Sequence, residues 1–176
     1  YLTVVGYDSR FNLFMLNYPN EEVKLGFINF LLPFYSSVKE KQAQTIISRF
    51  VSHIEHGQAD QFMQQLQTLM AGTPYELVKD TENHYQNVMY IITKLMGFYV
   101  QAEYRTINGR IDLLIGTTDY LYIIELKFNG TAKQAIEQIR NKDYSLPFEL
   151  QGRKIFKIGA NVSKETRNIE EWIIEA

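Results

Sequence analysis

GRIDLLIGTTDYLYIIELKF, residues 109–128, is the stretch on which the reading of this chain turns. It sets Asp112, Glu125 and Lys127 inside two runs otherwise built from Ile, Leu and Tyr. A charge buried without a partner is strongly disfavoured, so three ionisable groups among core-type residues call for a reason. The runs 110–115 and 120–127 flank Gly116-Thr117-Thr118-Asp119, a turn-rich stretch of hairpin length. With Ile115 facing Tyr120 across that turn, Asp112 lies opposite Ile123. Side chains alternate between faces along a strand, so Asp112 shares a face with Ile123, Glu125 and Lys127. Asp112 and Glu125 become diagonal neighbours, roughly 7–8 Å apart at the backbone. Two carboxylates that close repel unless a cation lies between them. The pattern therefore reads as a divalent-metal site with an ammonium beside it.

Such a site suits phosphodiester hydrolysis. Hard oxygen ligands from Asp112 and Glu125 hold Mg²⁺ or Mn²⁺ and leave positions open for water and a phosphate oxygen. The carbonyl of Leu126 is aimed at the site edge as a further ligand. Lys127 would hold or activate the attacking water and offset charge in the transition state. The competing reading is a chance spacing on a half-exposed sheet face, because an isolated D…E-x-K is common. The apolar neighbours and the shared face weigh against chance. Arg110, opposite Glu125 in this register, either pairs with it or reaches phosphate.

Working outward, YLTVV and FNLFMLNY read as an N-terminal β-hairpin across Gly6–Arg10. Asn20 caps a helix with Glu21 and Glu22 in its first turn and Pro33 near its end. Helices follow over about 38–54 and 58–71. Gly72-Thr73-Pro74 then breaks the chain into a helical extension, residues 1–72, and a chemistry-bearing part, residues 73–176. The second part predicts a helix over 81–96, strand FYVQAEYR, the 110–127 hairpin, a helix from Thr131 to about Tyr144, and strand KIFKIGANV. The last strand follows a helical crossover and so is able to lie parallel to an earlier one. The fold class is α/β, a mixed central sheet flanked by helices.

Glu82 falls in the first turn of the 81–96 helix, where a carboxylate complements the helix dipole. Gln138 lies beside the apolar stripe of the 131–144 helix. Its amide either holds a phosphate, a base or a catalytic neighbour, or is an ordinary solvated flank. Lys133 and Arg140 belong to a locally basic C-terminal third that suits phosphate contacts.

Bulk properties set bounds. A chain of 176 residues with 45% hydrophobic residues can bury a substantial core. A net charge of −2 gives no global basic field for nucleic acid, which leaves room for a local patch and a metal. The absence of cysteine excludes disulfides and thiolate metal sites. His53, His56 and His84 make no ligand pattern. There is no signal peptide and no apolar run of membrane-spanning length, so the expected compartment is the cytoplasm. The chain opens at Tyr1, already as a strand, and reads as a piece of a longer protein.

These residues resemble the PD-(D/E)XK nuclease superfamily, and more narrowly its bacterial branch found C-terminal to AAA-ATPase-like domains. The resemblance rests on YPNEEVKLGFINFLLPFY (18–35), EYRTINGRIDLLI (103–115), YIIELKFNGTAKQAIEQI (122–139) and KIGANVSKETRNIEEW (157–172). It implies a restriction-endonuclease-like core and metal-dependent cleavage of DNA by the effector end of an ATPase-linked protein. Asp112 and Glu125 become metal ligands and Lys127 the catalytic lysine. Glu82 becomes the acidic residue of the first core helix, and Gln138 the polar residue of the second. Ile111 stands where the superfamily name has proline. Gln138 and Tyr144 are six apart rather than four, so Tyr144 takes no role by analogy. A nuclease fold that binds nucleic acid or a partner without cutting is the alternative.

Overall fold

The computed structural model of the chain describes residues 2–36, 38–72, 81–97, 99–106 and 109–176. Strands β1 (Thr3–Asp8) and β2 (Leu13–Asn17) form the N-terminal hairpin, followed by helices α1 (Glu21–Tyr35), α2 (Glu40–Glu55) and α3 (Ala59–Ala71). Helix α4 (Thr81–Leu95) leads into β3 (Tyr99–Thr106), β4 (Gly109–Gly116) and β5 (Tyr120–Phe128). Helix α5 (Ala132–Asn141) and a 3-10 turn (Leu146–Gln151) connect to β6 (Lys154–Ser163) and β7 (Asn168–Glu175).

The main sheet runs β3-β4-β5-β6-β7, with β5 and β6 parallel and the other neighbours antiparallel. This is the mixed α/β sheet expected of a restriction-endonuclease-like core, with the crossover through α5 making the parallel pair. Strand β7 was not expected. Its alternation is weak, with Glu170 and Glu171 exposed, because it is an edge strand that only β6 completes.

Helices α2, α3 and α4 cover one face. Phe50, Ile54, Phe62, Leu66, Val88 and Ile92 share a single buried cluster with Ile115, Tyr122, Ile124 and Ile158 of the sheet. Tyr122 locks the layers together: its ring stacks on Phe156 at 5.1 Å, and its hydroxyl donates to the carbonyl of Ile54 at 2.7 Å. On α3, Gln67 donates to the carbonyl of Ile169 at 2.6 Å, and Trp172 donates to Asp60 at 2.8 Å. These bonds tie the helices to β7.

Helix α5 covers the other face. Thr131 starts it with a capping box, its hydroxyl accepting from the Gln134 amide while the Gln134 side chain accepts from the Thr131 amide. Ala132, Ala135, Ile136 and Ile139 are its buried stripe. The helix backbone lies directly on Gly159 of β6, where a Cβ would meet the backbone N of Ile136 and lie 2.7 Å from the carbonyl oxygen of Ala132. Those neighbours are main chain and have little freedom to give way.

The β1–β2 hairpin is different in character. Val4, Val5, Leu13, Phe14, Met15 and Leu16 are all exposed. Its strands run through Gly6 with a register shift, so the turn falls at Ser9–Asn12 rather than at Gly6–Arg10. Asn20 caps α1 as expected, its side chain accepting from the Val23 amide at 2.9 Å. Among the described residues, no helix is long and apolar enough to cross a membrane.

Replacing Gly159 by Ala forces α5 away from the sheet. The expected result is a loss of about 1–3 kcal/mol of stability, read by denaturant unfolding. A variant as stable as the parent would show that α5 does not rest on this glycine.

Candidate active site

The register of β4 on β5 decides which side chains meet. Leu113 pairs with Ile124, Leu114 with Ile123, Ile115 with Tyr122 and Gly116 with Leu121. The expected alignment, with Ile115 facing Tyr120 and Asp112 facing Ile123, is therefore corrected by two residues. The cause is local. Thr117 closes the turn, its hydroxyl accepting from the Tyr120 amide at 3.0 Å and its amide donating to the Tyr120 carbonyl at 2.9 Å. Gly116 is thereby kept in the strand. A slip of one residue would have turned every side chain to the other face. A slip of two preserves the faces and brings Asp112 level with Glu125.

At that level the ladder stops. The last pair is Leu113 with Ile124, and the strands part where the two carboxylates stand. The Asp112 carboxylate fills the gap, accepting from the Leu126 amide at 2.9 Å. A side chain thus replaces the backbone partner that β4 no longer supplies.

Glu125 is buried, with 2% of its surface exposed. Its Oε1 accepts from the Lys127 ammonium at 3.4 Å and from the Gln138 amide. The Gln138 carbonyl oxygen accepts in turn from Lys127 at 2.5 Å. One amide thus bridges acid and ammonium, and its orientation is set from both ends. Gln138 also donates to the Tyr144 hydroxyl at 3.4 Å. Tyr144, set aside from sequence, is a buried neighbour of this cluster; its ring also lies against Gly109, where a Cβ would come within 2.8 Å of the hydroxyl. Its distance from Gln138 along the chain hid it, because α5 ends at Asn141 and the turn after it swings Tyr144 back under the helix.

Of the remaining expected residues, Lys133 and Arg140 have partners outside this cluster. Arg110 is exposed, beyond the last β4–β5 pair, and the shifted register takes it off the position opposite Glu125. Lys133 is exposed on α5, 3.9 Å from Glu137. Arg140 pairs with Glu175 of β7, its Nε donating to the carboxylate at 3.0 Å. That pair ties α5 to the edge strand. The side chain of Glu82 lies outside the described part of the structure.

Burial pushes the Glu125 carboxyl up to about 7; the charge of Asp112 pushes the same way, and Lys127 pulls against both. The second carboxylate oxygen, Oε2, is buried without a hydrogen-bond partner. An unsatisfied buried carboxylate oxygen beside a second acid is costly, and a divalent cation is the group that would relieve both terms. Asp112 and Glu125 offer oxygen donors only, the set that suits Mg²⁺ or Mn²⁺. Among the described residues no three His, Asp or Glu side chains gather as a metal cage. Leu126, whose carbonyl the sequence offers as a further ligand, stands between the two charged positions of β5.

A family model described as the PD-(D/E)XK nuclease superfamily matches residues 80–172. The chain is also similar to a protein of Azotobacter chroococcum mcd 1 that bears the name "Uncharacterized protein in vnfD 5'region". The two are 26% identical over 196 residues, covering 100% of this chain and 36% of the relative's own length. The chain thus spans well under half of that relative. No solved structure matches it.

The raised Glu125 pKa has a sign for stability. Between the ordinary carboxyl value and about 7, the folded protein holds a proton that the unfolded chain has lost. Stability without divalent metal therefore falls as pH rises through that window. Comparing Glu125→Gln with the parent by denaturant unfolding, the variant should gain roughly 1–3 kcal/mol on the parent between pH 5 and pH 8. Parallel curves would mean that Glu125 is charged and satisfied throughout.

Proposed function

Because this chain belongs to the PD-(D/E)XK nuclease superfamily, we propose that it hydrolyses phosphodiester bonds in DNA with the help of a divalent metal. One observation carries this reading. Where β4 and β5 part, Asp112, the unsatisfied Glu125 oxygen and the Lys127 ammonium converge.

Asp112 and Glu125, with the Leu126 carbonyl, would hold Mg²⁺ or Mn²⁺. When bound, that ion supplies Lewis-acid polarisation of the phosphate and a lowered pKa for a coordinated water. The protein's own groups do the rest. Lys127 keeps its ammonium at the rim, with 30% of its side chain exposed. There it can donate to the attacking water or to a phosphate oxygen as negative charge builds. Gln138 braces the Lys127–Glu125 pair, its amide bonded to both partners. Glu82, at the start of α4, is a further acidic group for the site. Arg110 and Lys133 are exposed cations for the nucleic-acid backbone. Arg140, exposed and paired with Glu175, is a further candidate contact.

The same reading makes residues 73–176 the nuclease unit and residues 1–72 its extension towards an ATPase-like module, acting in the cytoplasm. The exposed apolar side chains of β1–β2 support such an attachment.

Two substitutions test the chemistry. Asp112→Ala and Lys127→Ala are each expected to lower Mg²⁺-dependent cleavage of DNA by roughly 100-fold or more, with unchanged circular dichroism. Calorimetric titration of Mn²⁺ should show saturable binding in the parent and none in Asp112→Ala. Cleavage that survives both substitutions would end this proposal.

A further inference from the structure

Beside the carboxylate pair lies a cavity of about 250 Å³, lined among the described residues by Gln86, Asn87, Met89, Tyr90, Asp112, Leu113 and Leu126. It opens between α4 and the place where β4 and β5 part. Asp112 belongs to both the cavity and the proposed metal site, so whatever fills the cavity sits next to the group being attacked.

The lining selects the occupant. Met89, Leu113 and Leu126 are buried and apolar, which suits a flat hydrophobic surface. Tyr90 is 40% exposed, although Val88, Met89, Ile91 and Ile92 around it are buried. The Lys94 ammonium lies 5.3 Å from its ring centroid, which helps hold the ring and places positive charge at the mouth. Gln86 and Asn87 fall one helical turn before Tyr90, on the same side of α4. Their amides offer donors and acceptors to a heteroaromatic edge. The one charged residue of the described lining is Asp112, which repels a phosphate. A neutral ring with a hydrogen-bonding edge fits this lining; an anion does not. The volume lies just below the roughly 300–1,000 Å³ of pockets for drug-sized ligands, the scale of one nucleotide unit rather than a length of duplex.

We propose that this cavity receives a single unpaired nucleobase of the strand being cut, stacked on Tyr90 with its edge against Gln86 and Asn87. The proposal rests on the nuclease reading of Asp112, Glu125 and Lys127 and narrows its substrate. A base in this cavity has left its helical stack, so the strand is single-stranded, frayed or distorted at the cut. Stacking on an aromatic tolerates any base, and the preference among bases falls to the two amides.

The test uses the whole chain and a single-stranded oligonucleotide in which 2-aminopurine is moved one position at a time. Binding is followed by fluorescence in Ca²⁺, and cleavage of the same oligonucleotides in Mg²⁺. The expected result is a fluorescence change confined to one or two positions next to the cut. Tyr90→Ala should abolish it and weaken binding about tenfold, while Tyr90→Phe keeps both. An abasic residue at that position should lower cleavage by a similar factor. Tyr90 is exposed, so neither variant disturbs the core. A response that is equal at all positions, or unchanged in Tyr90→Ala, or absent, would overturn the base site. Cleavage that continues with any of these results leaves the nuclease reading standing. A localised, Tyr90-dependent response without cleavage would sink the nuclease reading and keep the base-binding cavity.

Discussion

A carboxylate buried beside another carboxylate is the constraint on which this structure depends. Glu125 has an oxygen without a hydrogen-bond partner and lies close enough to Asp112 to feel its charge. Such a pair is unfavourable by itself. It persists because the surroundings hold it: Lys127 and Gln138 take one Glu125 oxygen, and the Leu126 amide takes one from Asp112. The β4–β5 ladder is interrupted at this point to make room. The backbone bonding given up there is partly recovered by the Asp112 side chain. The local arrangement is destabilised in the direction that a cation would correct, as is common where a fold carries chemistry.

The rest of the molecule supplies rigidity to that point. Helix α5 must hold Gln138 against both Glu125 and Lys127. It is seated by a capping box at Thr131, by main-chain contact at Gly159, and by the Arg140–Glu175 pair at its far end. The loop that enters it is pinned as well. Asn129 takes a positive φ of 55°, its amide donating to the Val162 carbonyl at 2.9 Å, while Asn161 accepts from the Gly130 amide at 2.9 Å. The opposite face is held by Tyr122, whose bond to Ile54 joins the helical extension to the same core as the sheet. The site is thus braced from both layers, and the parted strands between them are the place left open.

The opening on the α4 side gives the site a direction. Asp112 lines the cavity with Tyr90, while Lys127 and Gln138 lie towards α5. One carboxylate is therefore shared by two environments, one aromatic and amide-rich, the other built from ammonium and amide. The exposed hairpin is separate from both, because its apolar residues take no part in the buried clusters.

The sequence by itself marked Asp112, Glu125 and Lys127 as candidates for chemistry. Alternation along two short strands is a local property, and charged residues among Ile and Leu stand out against it. The register read from the turn is off by two, a shift that leaves the parity of the alternation unchanged. The caps at Asn20 and Thr131 are equally local, and Asn20 was legible from its own side chain. Other features belong to tertiary structure alone. Whether Gly116 stays in β4 depends on the hydroxyl of Thr117 finding the Tyr120 amide. Strand β7 exists because β6 offers it an edge, and β7 in turn supplies Glu175, the partner of Arg140. Tyr144 reaches Gln138 through a turn that no helical period encodes. The parting of β4 and β5, the unsatisfied Glu125 oxygen and the cavity at Tyr90 arise where separate elements meet. They follow from the balance of packing and desolvation among residues far apart in the chain.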